Sequence, residues 1–133
     1  MNQFIKTLLN LAAGMFVIYC CSVNANNEFE ELQKSAKKGQ ADAQTKLGVM
    51  YEKGVGVTKN YKKAIEWYKK AAEQEFAEAQ YNLGVIYQEG RQGIIKDYTK
   101  AINWYKKAVA QGLANAKQNL NILLRKDSPD SPA

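Results

Sequence analysis

The sequence predicts an all-α chain, built as a short solenoid of antiparallel helix pairs. Three observations carry that prediction. A segment of about one helical hairpin recurs directly downstream of itself. Its apolar positions fall at helical spacing. No proline lies between residues 26 and 128 to break the pattern.

The repeat is close. Ala41-Asp42-Ala43-Gln44 and the following Leu47-Gly48-Val49-Met50-Tyr51 return as Ala77-Glu78-Ala79-Gln80 and Leu83-Gly84-Val85-Ile86-Tyr87. Tyr61-Lys62-Lys63-Ala64-Ile65-Glu66-Trp67-Tyr68-Lys69-Lys70-Ala71 returns as Tyr98-Thr99-Lys100-Ala101-Ile102-Asn103-Trp104-Tyr105-Lys106-Lys107-Ala108. With Gln92 set aside as a loop insertion, 20 of the 36 positions from Ala41 to Phe76 are identical in the second copy, far beyond compositional coincidence.

Taken in order, residues 1–25 read as a secretory signal peptide. Lys6 supplies a basic start, Leu8 to Val23 is almost wholly apolar, and Val23-Asn24-Ala25 offers small residues where a signal peptidase cuts. An uncleaved anchor is the alternative, although the apolar run is shorter than a spanning helix wants. A lipid anchor on Cys20 or Cys21 is disfavoured by the bulk of Tyr19. Residues 26–126 form the solenoid: a half-unit over 28–39, full units over 41–76 and 77–113, and a terminal helix over 114–125. The tail, 127–133, is polar and proline-bearing, and reads as disordered.

Within a unit, Ala64, Ile65, Tyr68, Ala71 and Ala72 share one helical side, and Lys62, Lys63, Glu66, Lys69, Lys70 and Glu73 cover the other. Asn60 and Asp97 stand where side-chain N-caps belong. Gly39, Gly54, Gly90 and Gly112 stand where helices must stop, which predicts left-handed C-caps. Gly48 and Gly84 lie inside helices at some cost, so they mark close approach of a neighbour. Trp67 and Trp104 are expected to fill the space between units.

The composition excludes several chemistries. The chain of 133 residues is 46% apolar and 24% charged, carries a formal charge of +6, and has no histidine. That removes a Ser–His–Asp or Cys–His nucleophile, a histidine base and a His-ligated metal. Both cysteines leave with the signal, so the exported part cannot hold a disulfide. Glu66, Glu73 and Glu75 lie on or near a solvated face beside lysines, without the burial that tunes a catalytic carboxylate. Thr45, Thr58 and Thr99 have no activating base nearby. No enzyme activity, cofactor or metal site is expected.

The run A-x-A-Q-x-x-L-G-x-x-Y-x-x-G-x-G-V followed by A-x-x-W-Y-x-K-A-A, carried by Ala41 to Ala72, resembles the Sel1-like repeat, a relative of the tetratricopeptide repeat. The second unit departs from it by the extra loop residue, by Ile94 and by Val109. The third keeps Ala114, Ala116 and Leu120 but has Lys117, Asn121 and Leu124, and so reads as a cap. The resemblance implies a right-handed superhelix serving protein–protein contact, in a family whose bacterial members are often exported and linked to envelope assembly, host interaction or toxin neutralisation. It also includes cysteine-rich β-lactam-binding or β-lactam-hydrolysing members, whose paired cysteines are missing here.

A protein partner is therefore the expected ligand. In helical solenoids the first helix of each pair commonly lines the concave side. Its outward positions are Asp42, Thr45, Lys46, Val49, Glu52 and Lys53, with equivalents in the later units. Val49, Val85 and Ile122 align as an apolar line, which either meets a partner or packs on adjacent helices. Tyr81, Asn82, Gln118 and Asn119 break the self-similarity of the repeat. The candidate binding residues are Lys46, Val49, Tyr81, Asn82, Val85, Gln118, Asn119 and Ile122. Nucleic acid is not expected, because Glu66 and Glu73 interrupt the lysine stripe and the aromatics belong to packing; weak attraction to an anionic envelope surface is. The expected product is a monomeric, non-catalytic adaptor, periplasmic or secreted, with a toxin-neutralising or host-directed binder as the alternative and a β-lactam-acting enzyme as a remote one.

Overall fold

A computed structural model describes residues 27–126; the expected signal peptide and the tail after residue 126 lie outside the described residues. Six helices and no strands are found there. They are α1 (27–37), α2 (Ala41–Lys53), α3 (Tyr61–Ala72), α4 (Ala77–Glu89), α5 (Tyr98–Ala110) and α6 (Ala114–Lys126). The pairs α2/α3 and α4/α5 are the two repeats. Helix α1 precedes them and α6 follows, each packing as half of a further unit, so the chain is an all-α solenoid.

The helix ends follow from local chemistry. Asn60 Oδ1 accepts from the Lys63 backbone N–H at 3.0 Å, and Asp97 Oδ1 accepts from that of Lys100 at 2.9 Å. These bonds satisfy donors that the first helical turn leaves open. Gly39, Gly54, Gly90 and Gly112 all have positive φ, as the sequence predicts. The second unit boundary differs. Glu75 occupies the place of Gly39 and Gly112 and takes φ 60°, a left-handed conformation disfavoured for a residue with a Cβ. Glu75→Gly is expected to raise stability by about 1 kcal/mol, after allowing for the greater freedom of glycine in the unfolded chain. A urea titration checks this through an upward shift in midpoint.

The core is divided by interfaces between units, not by hairpins. One cluster joins α3 to α4 through Ile65, Ala72, Ala79 and Leu83; a second joins α5 to α6 through Ile102, Ala108, Ala116 and Leu123; a third joins α1 to α2 through Ala36, Ala43 and Leu47. Each second helix therefore needs the first helix of the next unit to cover it.

Within each hairpin the contact is closer still. A Cβ built on Gly48 would lie 2.4 Å from Tyr68 Cε1, and one on Gly84 would lie 2.5 Å from Tyr105 Cε1. In both units the Cδ1–Cε1 side of the tyrosine ring lies against the glycine. Tyr68 and Tyr105 are the largest fully buried side chains among the described residues. Trp67 and Trp104 are half-buried and pack between units as expected, Trp67 against the α1/α2 cluster and Trp104 against the α3/α4 cluster, each with a lysine over its ring.

Two buried glutamines explain the Gln of the repeat motif. Gln44 Nε2 donates to the Ala36 carbonyl at 3.1 Å, and Gln80 Nε2 donates to the Ala72 carbonyl at 3.2 Å. Both carbonyls lie at the end of the preceding helix, where each also accepts one backbone N–H, from Gly39 and from Glu75. Gln74 Nε2 completes the first pair by donating to Gln44 Oε1 at 2.9 Å. The corresponding Gln80 Oε1 has no protein partner, although its equivalent neighbour Gln111 lines the same notch.

Candidate protein-interaction face

The first helices of the units, α2, α4 and α6, carry the candidate residues. Exposure divides these residues into two sets. Lys46, Gln118 and Ile122 are exposed, whereas Val49, Tyr81, Asn82, Val85 and Asn119 are half-buried. Thr45 corrects the outward assignment made from the sequence. It is only 5% exposed, and its hydroxyl donates to the Ala41 carbonyl at 2.9 Å, so its side chain belongs to the buried side of α2. Lys46 pairs with Asp42 at 2.8 Å on the open side of α2 and lies in the field of Glu78 on α4.

The aligned aliphatic positions have separate fates. Val49 packs against the α3/α4 cluster and Val85 against the α5/α6 cluster. Ile122, on the last of the described helices, is 45% exposed. Leu123 turns into the last cluster, and Leu124 joins Ile122 at the surface. Asn121 stands at the α6 position that Gly48 and Gly84 hold in α2 and α4, so α6 lacks the glycine on which those helices seat a tyrosine ring.

The half-buried polar residues are held by the buried tyrosines. The Tyr68 hydroxyl donates to Glu52 Oε2 at 2.7 Å and is approached by Asn82 from the next unit. The Tyr105 hydroxyl donates to Gln88 Oε1 at 2.8 Å and accepts from Asn119 Nδ2 at 3.3 Å. Asn119 Nδ2 also reaches the Tyr81 hydroxyl at 3.3 Å, and the Tyr81 ring sits 5.8 Å from that of Tyr105. One arrangement is thus built twice: a tyrosine from a second helix emerges between two first helices and is bonded on both sides. Sequence reasoning placed Glu52 and Gln88 on this face without seeing their role. The signal available was that the repeat aligns Tyr68 with Tyr105 and an acceptor with an acceptor at positions 52 and 88.

Burial, reinforced by the bond to Glu52, pushes the Tyr68 hydroxyl well above the ordinary tyrosine range. Burial also pushes Tyr105 up to about 12, against the opposing bond from Asn119. Both hydroxyls are neutral donors at physiological pH and do not serve as general bases there. The neutral form is favoured in the folded chain, so the contribution of Tyr105 is fully present below pH 10 and is lost as pH rises towards about 12. A phenolate absorbance step near pH 12 is expected in the folded protein, and Tyr105→Phe is expected to remove it.

Among the described residues no group of three metal-capable side chains converges, and no helix is long and apolar enough to cross a membrane.

The Sel1 repeat family model matches residues 41–76 and again residues 77–113. The chain belongs to the Sel1 repeat family. It is 41% identical over 54 residues to a putative sel1-like repeat-containing protein of Acanthamoeba polyphaga mimivirus, a match covering 41% of this chain and 10% of that protein. It is 38% identical over 65 residues to the secretory immunoglobulin A-binding protein EsiB of Escherichia coli O6:H1, covering 48% of this chain and 13% of that one. The chain therefore spans only a small part of these curated relatives. Among solved structures, a protective antigen of uropathogenic Escherichia coli with an SLR fold superposes with a TM-score of 0.70 at 41% identity, covering 74% of this chain and 21% of the antigen. A Sel1 repeat protein from Oxalobacter formigenes superposes with a TM-score of 0.71 at 37% identity, covering 84% and 45%.

Sel1 repeats generally act as protein-interaction scaffolds. In this Sel1 array the motif residues are accounted for by packing. Gly48 and Gly84 seat the tyrosines, Gln44 and Gln80 cap the preceding helix, and the paired alanines line the seams between units.

Proposed function

We propose that this Sel1 array is an exported, non-catalytic scaffold that binds another protein through the face formed by α2, α4 and α6. The observation that carries the reading is the contrast between inward and outward positions of these helices. Ala43, Ala79 and Ala116 are alike, as are Leu47, Leu83 and Leu120, and all six are buried. Positions 46, 82 and 119 read Lys, Asn and Asn, and the neighbouring positions 81 and 118 read Tyr and Gln. Packing holds the first set constant, and the second is free to be shaped by a partner.

The neutral tyrosines support a binding role. They fix Asn82 and Asn119 in place before any partner arrives, which lowers the ordering cost of association. Export rests on the N-terminal pattern, and N-terminal sequencing of the mature chain, expected to begin at Asn26, checks it. A host-directed partner is the favoured form of the reading. Two relatives support it, one named for binding secretory immunoglobulin A and one described as a protective antigen.

The test is partner capture by a surface variant that leaves the cores alone. Lys46→Glu, Gln118→Lys and Ile122→Asp are combined, since all three side chains are exposed. Capture is expected to fall at least tenfold, equivalent to about 1.4 kcal/mol, with helical content unchanged. Undiminished capture contradicts the assignment of this face.

A further inference from the structure

The outer side of the array carries a second feature, independent of the face just described. A groove of about 280 Å³ lies between α3 and α5, lined by Lys69, Tyr87, Lys100, Asn103, Trp104 and Lys107. No carboxylate lines it. Lys107 Nζ sits 4.5 Å from the Trp104 ring centroid and Lys100 Nζ 5.5 Å from that of Tyr87, so cation–π contact holds both ammonium groups over the walls. Lys100 also pairs with Asp97 at 3.1 Å, which offsets part of its charge.

The first unit supplies an internal control. It has the same framework, with Lys63 stacked at 5.3 Å on Tyr51 and Lys70 at 4.3 Å on Trp67. There the positions equivalent to Lys69 and Asn103 are Gln33 and Glu66. The stacked lysines are thus a property of the repeat, whereas the excess positive charge belongs to the second groove alone. Two changes, one on α3 and one on α5, produce it.

We propose that this groove binds a carboxylate-rich peptide segment of a partner. An ammonium group stands over each ring, so a sugar or a nucleobase would have to displace a lysine in order to stack there. What the groove offers is positive charge together with the Asn103 amide, which both donates and accepts. Those are the requirements of glutamate and aspartate side chains on an extended backbone. Attraction of this kind steers association and weakens with salt.

The experiment is fluorescence anisotropy of a short labelled oligoglutamate peptide with the full chain at low ionic strength. Saturable binding is expected, weakened about tenfold by Asn103→Glu, which installs the residue of the first groove. Lys69→Gln, which installs the other first-groove residue, is expected to weaken it by a smaller factor. Both positions are exposed, and circular dichroism confirms that helical content is kept. Glu66→Gln in the first unit is expected to leave binding unchanged or improve it. The proposal is overturned if oligoglutamate does not saturate, if both groove variants bind as the parent does, or if single-stranded DNA or a sulfated oligosaccharide binds the same variant-sensitive groove more tightly. None of these variants touches α2, α4 or α6, so failure here leaves the capture result on that face standing.

Discussion

Gly48→Ala is expected to destabilise the array by about 2–3 kcal/mol, although alanine is the better helix former. Propensity favours the change by up to about 1 kcal/mol. Sterics oppose it, because the new methyl would lie 2.4 Å from Tyr68 Cε1, and Tyr68 is fully buried with its hydroxyl anchored on Glu52. The ring cannot swing aside without leaving its bond or entering the α3/α4 cluster, so α2 must move away from α3. Chemical denaturation gives the loss directly. Gly84→Ala meets Tyr105 in the same geometry and serves as a replicate within one molecule. Combining Gly48→Ala with Tyr68→Leu is expected to cost less than the sum of the two single changes, since the collision is removed. Strict additivity would show that the glycine is kept for some reason other than the ring.

Tyr105→Ala is expected to cost about 3–5 kcal/mol, the usual price of emptying a buried aromatic site. The ring is the largest side chain in the cluster between α5 and α6, and its hydroxyl bonds Gln88 and Asn119. In a one-dimensional array the damage stays near its source. Hydrogen exchange is expected to speed up in α5 and α6 while α1 and α2 keep most of their protection. Tyr105→Phe removes only the hydroxyl and is expected to cost about 1 kcal/mol. Equal losses for the two variants would place the energy in the hydrogen bonds and not in packing.

Much of this architecture is legible in the sequence. The duplicated segment delimits the hairpins, helical spacing assigns the buried sides, and caps at Asn60 and Asp97 follow from their place before a helical run. Mid-helix glycine predicts a close neighbour on conformational cost alone. Which residue fills that space was not legible, because tyrosine and tryptophan adjoin one another in Trp67-Tyr68, and sequence alone does not show which ring turns inward. Thr45 was misplaced for a related reason. It lies at the margin of the buried side of α2, and its hydroxyl satisfies itself on the turn before it, so burial costs little. The polar bonds of Asn82 and Asn119 join residues of different units, a relation that helical periodicity does not encode. Glu75 breaks the glycine rule of its own repeat, and its left-handed backbone is visible only in the folded chain.

The central claim is that a partner meets the chain on α2, α4 and α6, and site-specific photo-crosslinking in the native compartment tests it most directly. A photoreactive residue at Gln118, exposed on α6, is compared with one at Lys62, exposed on α3. The account predicts a discrete crosslinked protein from position 118 that the Lys46→Glu and Ile122→Asp changes abolish. A discrete crosslink from position 62 with none from position 118 would contradict it.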